Sequence, residues 1–150
     1  MTDSYSQQLV VFSLGQEEYA LPIAAVHEII RFSEPRSVAS EVAWIRGVIG
    51  LRGKIVPIFD LAARLELDAA DATPGKIVIL ETRTGQVGVM VDEVEEVMTV
   101  TSEQLEPVPT ASTDTIEAIA KIDDRLVILL NPEGLFVHAP GADELAATAS

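Results

Sequence analysis

The chain has 150 residues, and 10 lysines and arginines against 24 aspartates and glutamates give it a net charge of −14 at pH 7. This charge repels phosphate backbones and anionic head groups, so we do not expect nucleic acid or a membrane surface as a partner. A hydrophobic content of 48% is enough for one compact domain, or for two small lobes that share a core.

No segment indicates export or insertion into a membrane. Met1–Gln8 is polar, and no run approaches the ~20 apolar residues of a membrane span. The chain has no cysteine, which excludes disulfides and thiolate metal sites and fits a reducing compartment. We therefore expect a soluble, cytoplasmic protein.

The first predicted elements are a hairpin and a short helix. Leu9–Leu14 and Tyr19–Leu21 have the composition of strands, and the four residues between them read as a turn. Pro22 suits the first position of a helix. Because apolar residues recur three and four apart in Ile23–Ile30, the spacing predicts a helix there.

The stretch 45–65 predicts a second hairpin that leads into a helical turn. Val48–Leu51 and Ile55–Phe59 have the β-branched and aromatic content of strands. Arg52 and Gly53 lie between them as a tight turn, in which the glycine supplies a positive φ. Asp60 stands where a helix N-cap accepts backbone N–H bonds.

The second half repeats the first in outline, after a linker at residues 68–75. Ile77–Leu80 and Val87–Val91 are predicted strands around a turn at Thr84-Gly85, and Ile116–Ile122 and Arg125–Leu130 form a further hairpin. Thr101–Gln104 has the spacing of a capping box, and 108–114 is a polar loop.

The repeat can be indexed residue by residue. A shift of 68 lays Val26, Glu28, Ile29 and Ile30 onto Val94, Glu96, Val97 and Met98. The spacing of three in Val91, Val94 and Val97 then predicts another helical turn. A shift of 71 lays Lys54 onto Arg125, Phe59-Asp60 onto Leu130-Asn131 and Arg52 onto Asp123, so Asn131 with Pro132 repeats the Asp60 cap.

The pattern predicts a mainly β fold. About five short strands in each half argue for two small barrels and against parallel α/β units, because no crossover helix is long enough. We expect one domain over 1–150, with a first barrel at about 9–67, a linker at 68–75, a second barrel at about 76–136 and a loose tail at 137–150. Strands could be exchanged between the two barrels.

The titratable residues do not form a recognisable catalytic or metal site. His27 and His138 lack the partner spacing of a zinc site, and Asp92–Glu96 lacks the glycine and the spacing of a calcium loop. Three glycines between residues 47 and 53 interrupt a hairpin, where a nucleotide-binding motif would open a helix. We therefore predict no catalytic residue, cofactor or metal; the alternative is a small acidic hydrolase that uses Asp92 or Glu96.

Arg52 is a cation in the turn of a largely apolar hairpin of an acidic protein. A solvated turn arginine is the simplest interpretation. The functional alternative is an orienting ion pair or an interface anchor, with Glu28 as a plausible partner. Because Arg52 falls on Asp123 in the repeat, the barrel architecture itself does not demand an arginine there.

Five segments of the chain form a recognisable set. They are FSLGQEEYALPI at 12–23, VHEII at 26–30, IRGVIGLRGKIVPIFDL at 45–61, VGVMVDEV at 87–94 and DDRLVILLN at 123–131. Together they resemble the CheW family, the coupling proteins of bacterial chemotaxis. The resemblance runs from about Leu9 to Phe136 in the right order and spacing. It implies two intertwined five-stranded SH3-like barrels around a shared hydrophobic core, with a few short helices. The family usually has asparagine where this chain has Gly50.

The resemblance also implies a function, partners and a location. It implies a scaffold without enzymatic activity that couples the cytoplasmic tip of chemoreceptors to the regulatory domain of the histidine kinase CheA, at the inner face of the membrane. Alternatives are an adaptor of a related chemosensory system, such as one for surface motility, or a detached regulatory domain of such a kinase. By position, the coupling residues implied are Val26, Glu28, Gly47, Arg52 and Val94.

Overall fold

Short strands make up most of the chain that the computed structural model describes, which is residues 6–38, 44–67, 74–83, 85–108 and 115–136. In chain order the strands are β1 (Ser6–Leu14), β2 (Glu17–Pro22), β3 (Val26–Arg31), β4 (Ile45–Leu51), β5 (Lys54–Asp60), β6 (Lys76–Thr82), β7 (Gly85–Val91), β8 (Glu93–Thr101), β9 (Leu105–Glu106), β10 (Ile116–Ile122) and β11 (Arg125–Leu130). The helices are α1 (Leu61–Arg64) and α2 (Pro132–Leu135), with 3-10 turns at Ile23–Ala25 and Ser102–Gln104. None of the helices in these ranges is long and apolar enough to cross a membrane.

The strands form two sheets, each curved into a small barrel. The first sheet has the order β8-β1-β2-β11-β10-β9 and the second has the order β3-β6-β7-β5-β4. Neighbouring strands are antiparallel, except that β2 runs parallel to β11 and β5 runs parallel to β7. The predicted fold of two SH3-like barrels is confirmed, although the first sheet has six strands instead of five because it includes the two-residue β9.

Each sheet combines strands from both halves of the chain. The first sheet joins β1 and β2 to β8–β11, and the second joins β3–β5 to β6 and β7. Neither of the predicted segments, 9–67 and 76–136, therefore forms a sheet by itself. The two parallel pairs lie where strands of one half meet strands of the other.

The buried side chains form one shared core between the sheets and a smaller core inside each barrel. Strand β1 shows the division, because Phe12 and Leu14 enter the shared core whereas Leu9 and Val11 enter the first barrel. Both faces of this strand are buried, which explains its continuous apolar sequence. The second barrel is filled by Val56, Ile58, Ile77, Ile79 and Met90.

The predicted hairpin turn and helix caps are confirmed. Arg52 and Gly53 have φ values of 51° and 79°, so both residues of this two-residue turn adopt left-handed backbone. The Asp60 carboxylate accepts the Ala63 N–H at 3.1 Å, and the Asn131 side chain accepts the Glu133 N–H at 3.2 Å. The same cap thus starts a single helical turn at the end of β5 and of β11.

Two predicted helical segments are wrong. Within Ile23–Ile30, only Ile23–Ala25 forms a 3-10 turn, and the rest belongs to β3. The predicted turn through Val94 and Val97 lies in β8. Both strands contain a β-bulge, which places residues three apart on one face and so imitates the spacing of a helix.

The remaining predictions divide between described and undescribed residues. The capping box at Thr101–Gln104 is confirmed, because the Thr101 N–H donates to Gln104 Oε1 at 2.8 Å. Residues 68–73 of the linker, Thr84, residues 109–114 of the polar loop and the tail with His138 lie outside the described residues.

Candidate functional site

Strand β3, at one edge of the second sheet, carries two of the predicted coupling residues, Val26 and Glu28, and has a β-bulge between them. Val26 pairs with Leu80 and Glu28 pairs with Ile79, so His27 is an extra, bulged residue. Leu80 belongs to the shared core and Ile79 to the interior of the second barrel. Because directly paired residues share a face of the sheet, the bulge turns Val26 toward the shared core and Glu28 toward the mouth of the barrel.

Strand β8, at one edge of the first sheet, has the same arrangement. Val94 pairs with Phe12 of the shared core, and Glu96 pairs with Val11 of the first barrel, so Glu95 is the bulged residue. Val94 therefore packs against the shared core, while Glu96 lies on the face of the barrel interior. The structure thus gives both strands one local design, with a valine before the bulge and a glutamate after it.

Glu28 and Arg52 form a two-pronged ion pair. Arg52 Nη1 donates to Glu28 Oε1, and Nη2 donates to Oε2 at 2.7 Å. These hydrogen bonds hold the pKa of Glu28 below its ordinary value and raise the pKa of Arg52. Since β3 lies at one edge of the second sheet and the β4–β5 turn at the other, the pair joins the two edges of this barrel.

The first barrel has a corresponding ion cluster that the sequence prediction missed. Arg125 Nη1 donates to Glu96 at 3.0 Å, while Nε and Nη2 donate to Glu18 at 3.1 and 2.8 Å. Hydrogen bonds to Glu18 and then to Glu96 raise the pKa of Arg125. Arg125 is the repeat counterpart of Lys54, so the second barrel takes its arginine from within the turn and the first barrel takes it from the first residue after the equivalent turn. A search for a basic residue in or directly beside each turn would have found it.

Gly47 occupies a position that admits no side chain. Its φ is 148°, and a Cβ atom there would lie 2.0 Å from the Arg36 carbonyl oxygen. Arg36 and Val48 exchange two backbone hydrogen bonds of 2.8 and 2.9 Å at this point. Gly47 therefore lets the segment through Arg36 lie directly against β4.

The large apolar side chains exposed on the strands also follow the repeat. Ile29 is 39% exposed and its counterpart Val97 is 51% exposed. Ile55 is 47% exposed and its counterpart Leu126 is 61% exposed. Ile29 pairs with Val78 of the shared core, so it lies on the same side of β3 as Val26. The four exposed apolar residues thus form two matched pairs, one on the edge strands and one beside the hairpin turns.

The acidic run 92–96 is dispersed over separate structural contacts. The Asp92 carboxylate accepts the Gly15 N–H at 2.7 Å, and Glu96 binds Arg125. His27 lies between two carboxylates, 3.6 Å from Glu28 and 3.6 Å from Glu81. Within the described ranges, no group of three or more histidine or acidic side chains could hold a metal ion.

Of the five residues implied by the sequence resemblance, the structure brings two into contact. These are Glu28 and Arg52. Val26 and Val94 pack against the shared core from different sheets, and Gly47 serves the separate contact with Arg36. Their role in coupling stays a prediction.

Comparison with known proteins assigns the chain to a family. Residues 8–139 match the family model of the CheW-like domain. The chain is 36% identical over 135 residues to a probable chemotaxis protein CheW of Rhizobium etli, with 87% of each protein covered. It is 33% identical over 139 residues to the chemotaxis protein CheW of Klebsiella aerogenes, covering 89% of this chain and 83% of that protein.

A solved structure supports the same assignment. The scaffolding protein TtCheW of Thermoanaerobacter tengcongensis superimposes with a TM-score of 0.81 at 34% identity, and 88% of each chain is covered. The likeness therefore extends over both barrels. The chain belongs to the CheW family.

Proposed function

We propose that this protein is a coupling adaptor of bacterial chemotaxis without enzymatic activity, which joins the cytoplasmic tip of chemoreceptors to the regulatory domain of the histidine kinase CheA. The observation that carries the proposal is the likeness over nearly the whole chain to chemotaxis proteins, one of which is a scaffolding protein of known structure. Through receptors, such an adaptor works at the inner face of the membrane.

The receptor contact is assigned to the edge strands β3 and β8. Val26 and Val94 are partly buried against the shared core, and the exposed Ile29 and Val97 follow them three residues later. Each strand thus offers one half-buried and one exposed apolar side chain. An apolar helical tip is the partner that such surfaces fit, because apolar contacts at its core stabilise a helix in a groove.

The kinase contact is assigned to the outer surfaces of the barrels. Ile55 and Leu126 are exposed at equivalent positions beside the two hairpin turns. The regulatory domain expected from the family resemblance is itself built from such barrels. A partner with repeated barrels can use the same mode of contact at both ends of the adaptor.

The Glu28–Arg52 ion pair is assigned an orienting role. Two parallel hydrogen bonds fix the guanidinium and the carboxylate in one plane, which a single-point contact would not do. Gly47 contributes differently, since it keeps the segment at Arg36 against β4. The ion pair and Gly47 thereby determine the shape of the surface, without contributing apolar contact area to it.

Coupling of this kind transmits a signal through geometry. The adaptor has to bind the two activity states of the kinase with different free energies, because a partner that binds both equally shifts no equilibrium. A fixed spacing between the receptor surface and the kinase surface is therefore the property that the shared core has to maintain.

An Arg52→Ala variant tests the proposal. We expect a folded protein that restores little receptor-stimulated kinase activity in a reconstituted mixture of receptor fragment, kinase and adaptor. Arg83→Ala is the matched control, because Arg83 is 89% exposed and reaches Glu133 only at 3.9 Å. The control should couple normally. If the unchanged protein captures neither the receptor fragment nor the kinase, the adaptor function is wrong. If the unchanged protein captures them and Arg52→Ala also couples normally, only the orienting role of the ion pair is wrong.

A further inference from the structure

Both edge strands change faces at a bulge, and in both the residue directly after the bulge is a glutamate bound to an arginine. Glu28 follows the bulge of β3 and binds Arg52; Glu96 follows the bulge of β8 and binds Arg125. A strand that slips by one residue exchanges its two faces. A side-chain contact at the first residue beyond the bulge opposes that slip, because only one register places the glutamate beside its arginine.

We propose that Arg125 is a positioning residue for the receptor-binding surface: by holding Glu96 it fixes the bulge of β8 and so directs Val94 and Val97 toward the side of the shared core. This inference rests on the proposed function. It extends to the first barrel the orienting role assigned to the Glu28–Arg52 pair, and it assigns that role to a residue outside the predicted coupling set.

The geometry of Arg125 suits this role. In the first sheet, β1 lies between β8 and β2, so Glu96 and Glu18 stand on strands that do not pair with each other. Arg125 donates two hydrogen bonds to Glu18, which fix the plane of its guanidinium, and a third to Glu96. A lysine cannot span two carboxylates in this planar arrangement. Arg125 therefore holds β8 to the opposite wall of the barrel.

The charge of the surroundings makes the arginine necessary. Without Arg125, Glu18 and Glu96 would remain as unpaired carboxylates at the mouth of one small barrel, in a chain of net charge −14. The two carboxylates lie close together, because one guanidinium contacts both of them, and without it they would repel each other. The edge strand β8 is the element that can move in response. We therefore expect β8 to shift at its bulge while the other strands keep their pairing.

The repeat offers a second position from which an arginine can hold Glu96. Moving the arginine there should restore binding if Arg125 acts through Glu96, but not if Arg125 itself contacts the partner. Asp123 holds in the first barrel the place that Arg52 holds in the second, and both have left-handed backbone, with φ of 55° and 51°. An arginine introduced at 123 should approach Glu96 as Arg52 approaches Glu28. The double variant Asp123→Arg with Arg125→Ala thus moves the cation without removing it.

The experiment measures the dissociation constant for a chemoreceptor fragment that contains the cytoplasmic tip. We expect Arg125→Ala to bind about twofold to thirtyfold more weakly than the unchanged protein, the range found for residues that act without touching the ligand. The double variant should recover most of the affinity. Glu96→Gln weakens the same contact with a change in net charge of the opposite sign and should also reduce affinity, so it decides the question if Arg125→Ala does not fold.

Lys121→Ala is the matched control. Lys121 binds Glu106 at 2.8 Å in an exposed ion pair of the same barrel that does not involve β8. Its loss should leave the affinity unchanged. Normal binding by a folded Arg125→Ala overturns the inference, and so does a loss that the relocated arginine fails to restore, since Arg125 would then contact the partner itself. A failure of the unchanged protein to bind the fragment would instead overturn the proposed function.

Discussion

Replacing Gly47 by alanine isolates the contribution of one backbone contact. The new Cβ would lie 2.0 Å from the Arg36 carbonyl oxygen, closer than any atoms can approach without movement, and the φ of 148° is one that residues with a side chain rarely adopt. Either the segment at Arg36 moves away from β4 or the strand itself bends. In both cases the two hydrogen bonds between Arg36 and Val48, of 2.8 and 2.9 Å, are lost.

The size of the effect follows from these two terms. A backbone hydrogen bond contributes about 0.5–1.5 kcal/mol net, so the loss of two costs about 1–3 kcal/mol. Holding a residue with a side chain at such a φ costs on the order of 1–3 kcal/mol more. Because relaxation relieves part of the strain, we expect Gly47→Ala to lower the free energy of unfolding by about 3 kcal/mol.

Urea unfolding provides the assay, and the same strand provides its control. The only tryptophan of the chain, Trp44, packs against Phe59 with ring centroids 5.1 Å apart, so its fluorescence reports on the shared core. Gly50 is also in β4, but a Cβ there meets no atom within 4 Å. Gly50→Ala should leave stability unchanged or raise it by about 0.5–1 kcal/mol. If the two variants unfold at the same urea concentration, the close approach at Arg36 does not constrain residue 47.

Three further predictions concern charge, capping and burial. Arg52→Ala should raise the pKa of Glu28, measured by carboxyl NMR titration. Because the folded-state pKa is lowered, the ion pair stabilises the protein above the ordinary glutamate pKa of about 4.3, and this stabilisation is lost as the pH falls through the lowered value; an unchanged pKa would contradict the ion pair. Asp60→Ala should lower the free energy of unfolding by about 1 kcal/mol through loss of the helix cap, and no change in urea unfolding would count against the cap. Leu129→Ala removes a buried side chain from the first barrel and should lower the free energy of unfolding in urea by about 2–5 kcal/mol. Leu126→Ala removes an exposed side chain and should change the free energy of unfolding by less than about 0.5 kcal/mol. Equal losses would mean that the two faces of β11 are misassigned.

Features encoded by neighbouring residues could be predicted from the sequence. The turn at Arg52-Gly53 and the cap at Asp60 depend on residue types within a few positions, and their geometry is local. The internal repeat carried the prediction to Asn131 without further information. Such elements form wherever the local chemistry requires them, so their residues identify them directly.

The two wrong helices show the limit of spacing as a signal. In β3 the bulge at His27 places Val26 and Ile29 on one face, and in β8 the bulge at Glu95 does the same for Val94 and Val97. Apolar residues spaced three positions apart are typical of a helix. Only the pairing with the neighbouring strand reveals that this spacing arises here from one extra, bulged residue in a β-strand.

The ion pairs could not be established from the sequence alone, because their members come together only through the tertiary fold. Glu28 and Arg52 are 24 residues apart, and Arg125 and Glu18 are 107 residues apart. Strict equivalence in the repeat also pointed away from Arg125, since the counterpart of Arg52 is Asp123. A long side chain can reach the equivalent carboxylate either from within a two-residue turn, as Arg52 does, or from the residue directly after the turn, as Arg125 does. The contact is therefore repeated although the residue position is not.

The mixed origin of each sheet has a consequence for how the protein is made. Strand β1 pairs with β8, and β2 pairs in parallel with β11, in addition to the hairpin that β1 and β2 form together. During synthesis on the ribosome, this hairpin emerges long before β8 and β11 exist, so its two outer edges remain unpaired until nearly the whole chain is out. Such long-range pairing slows folding and leaves apolar strands open to aggregation in the meantime. A cleavage in the linker would accordingly release two fragments that need each other to fold, instead of two barrels.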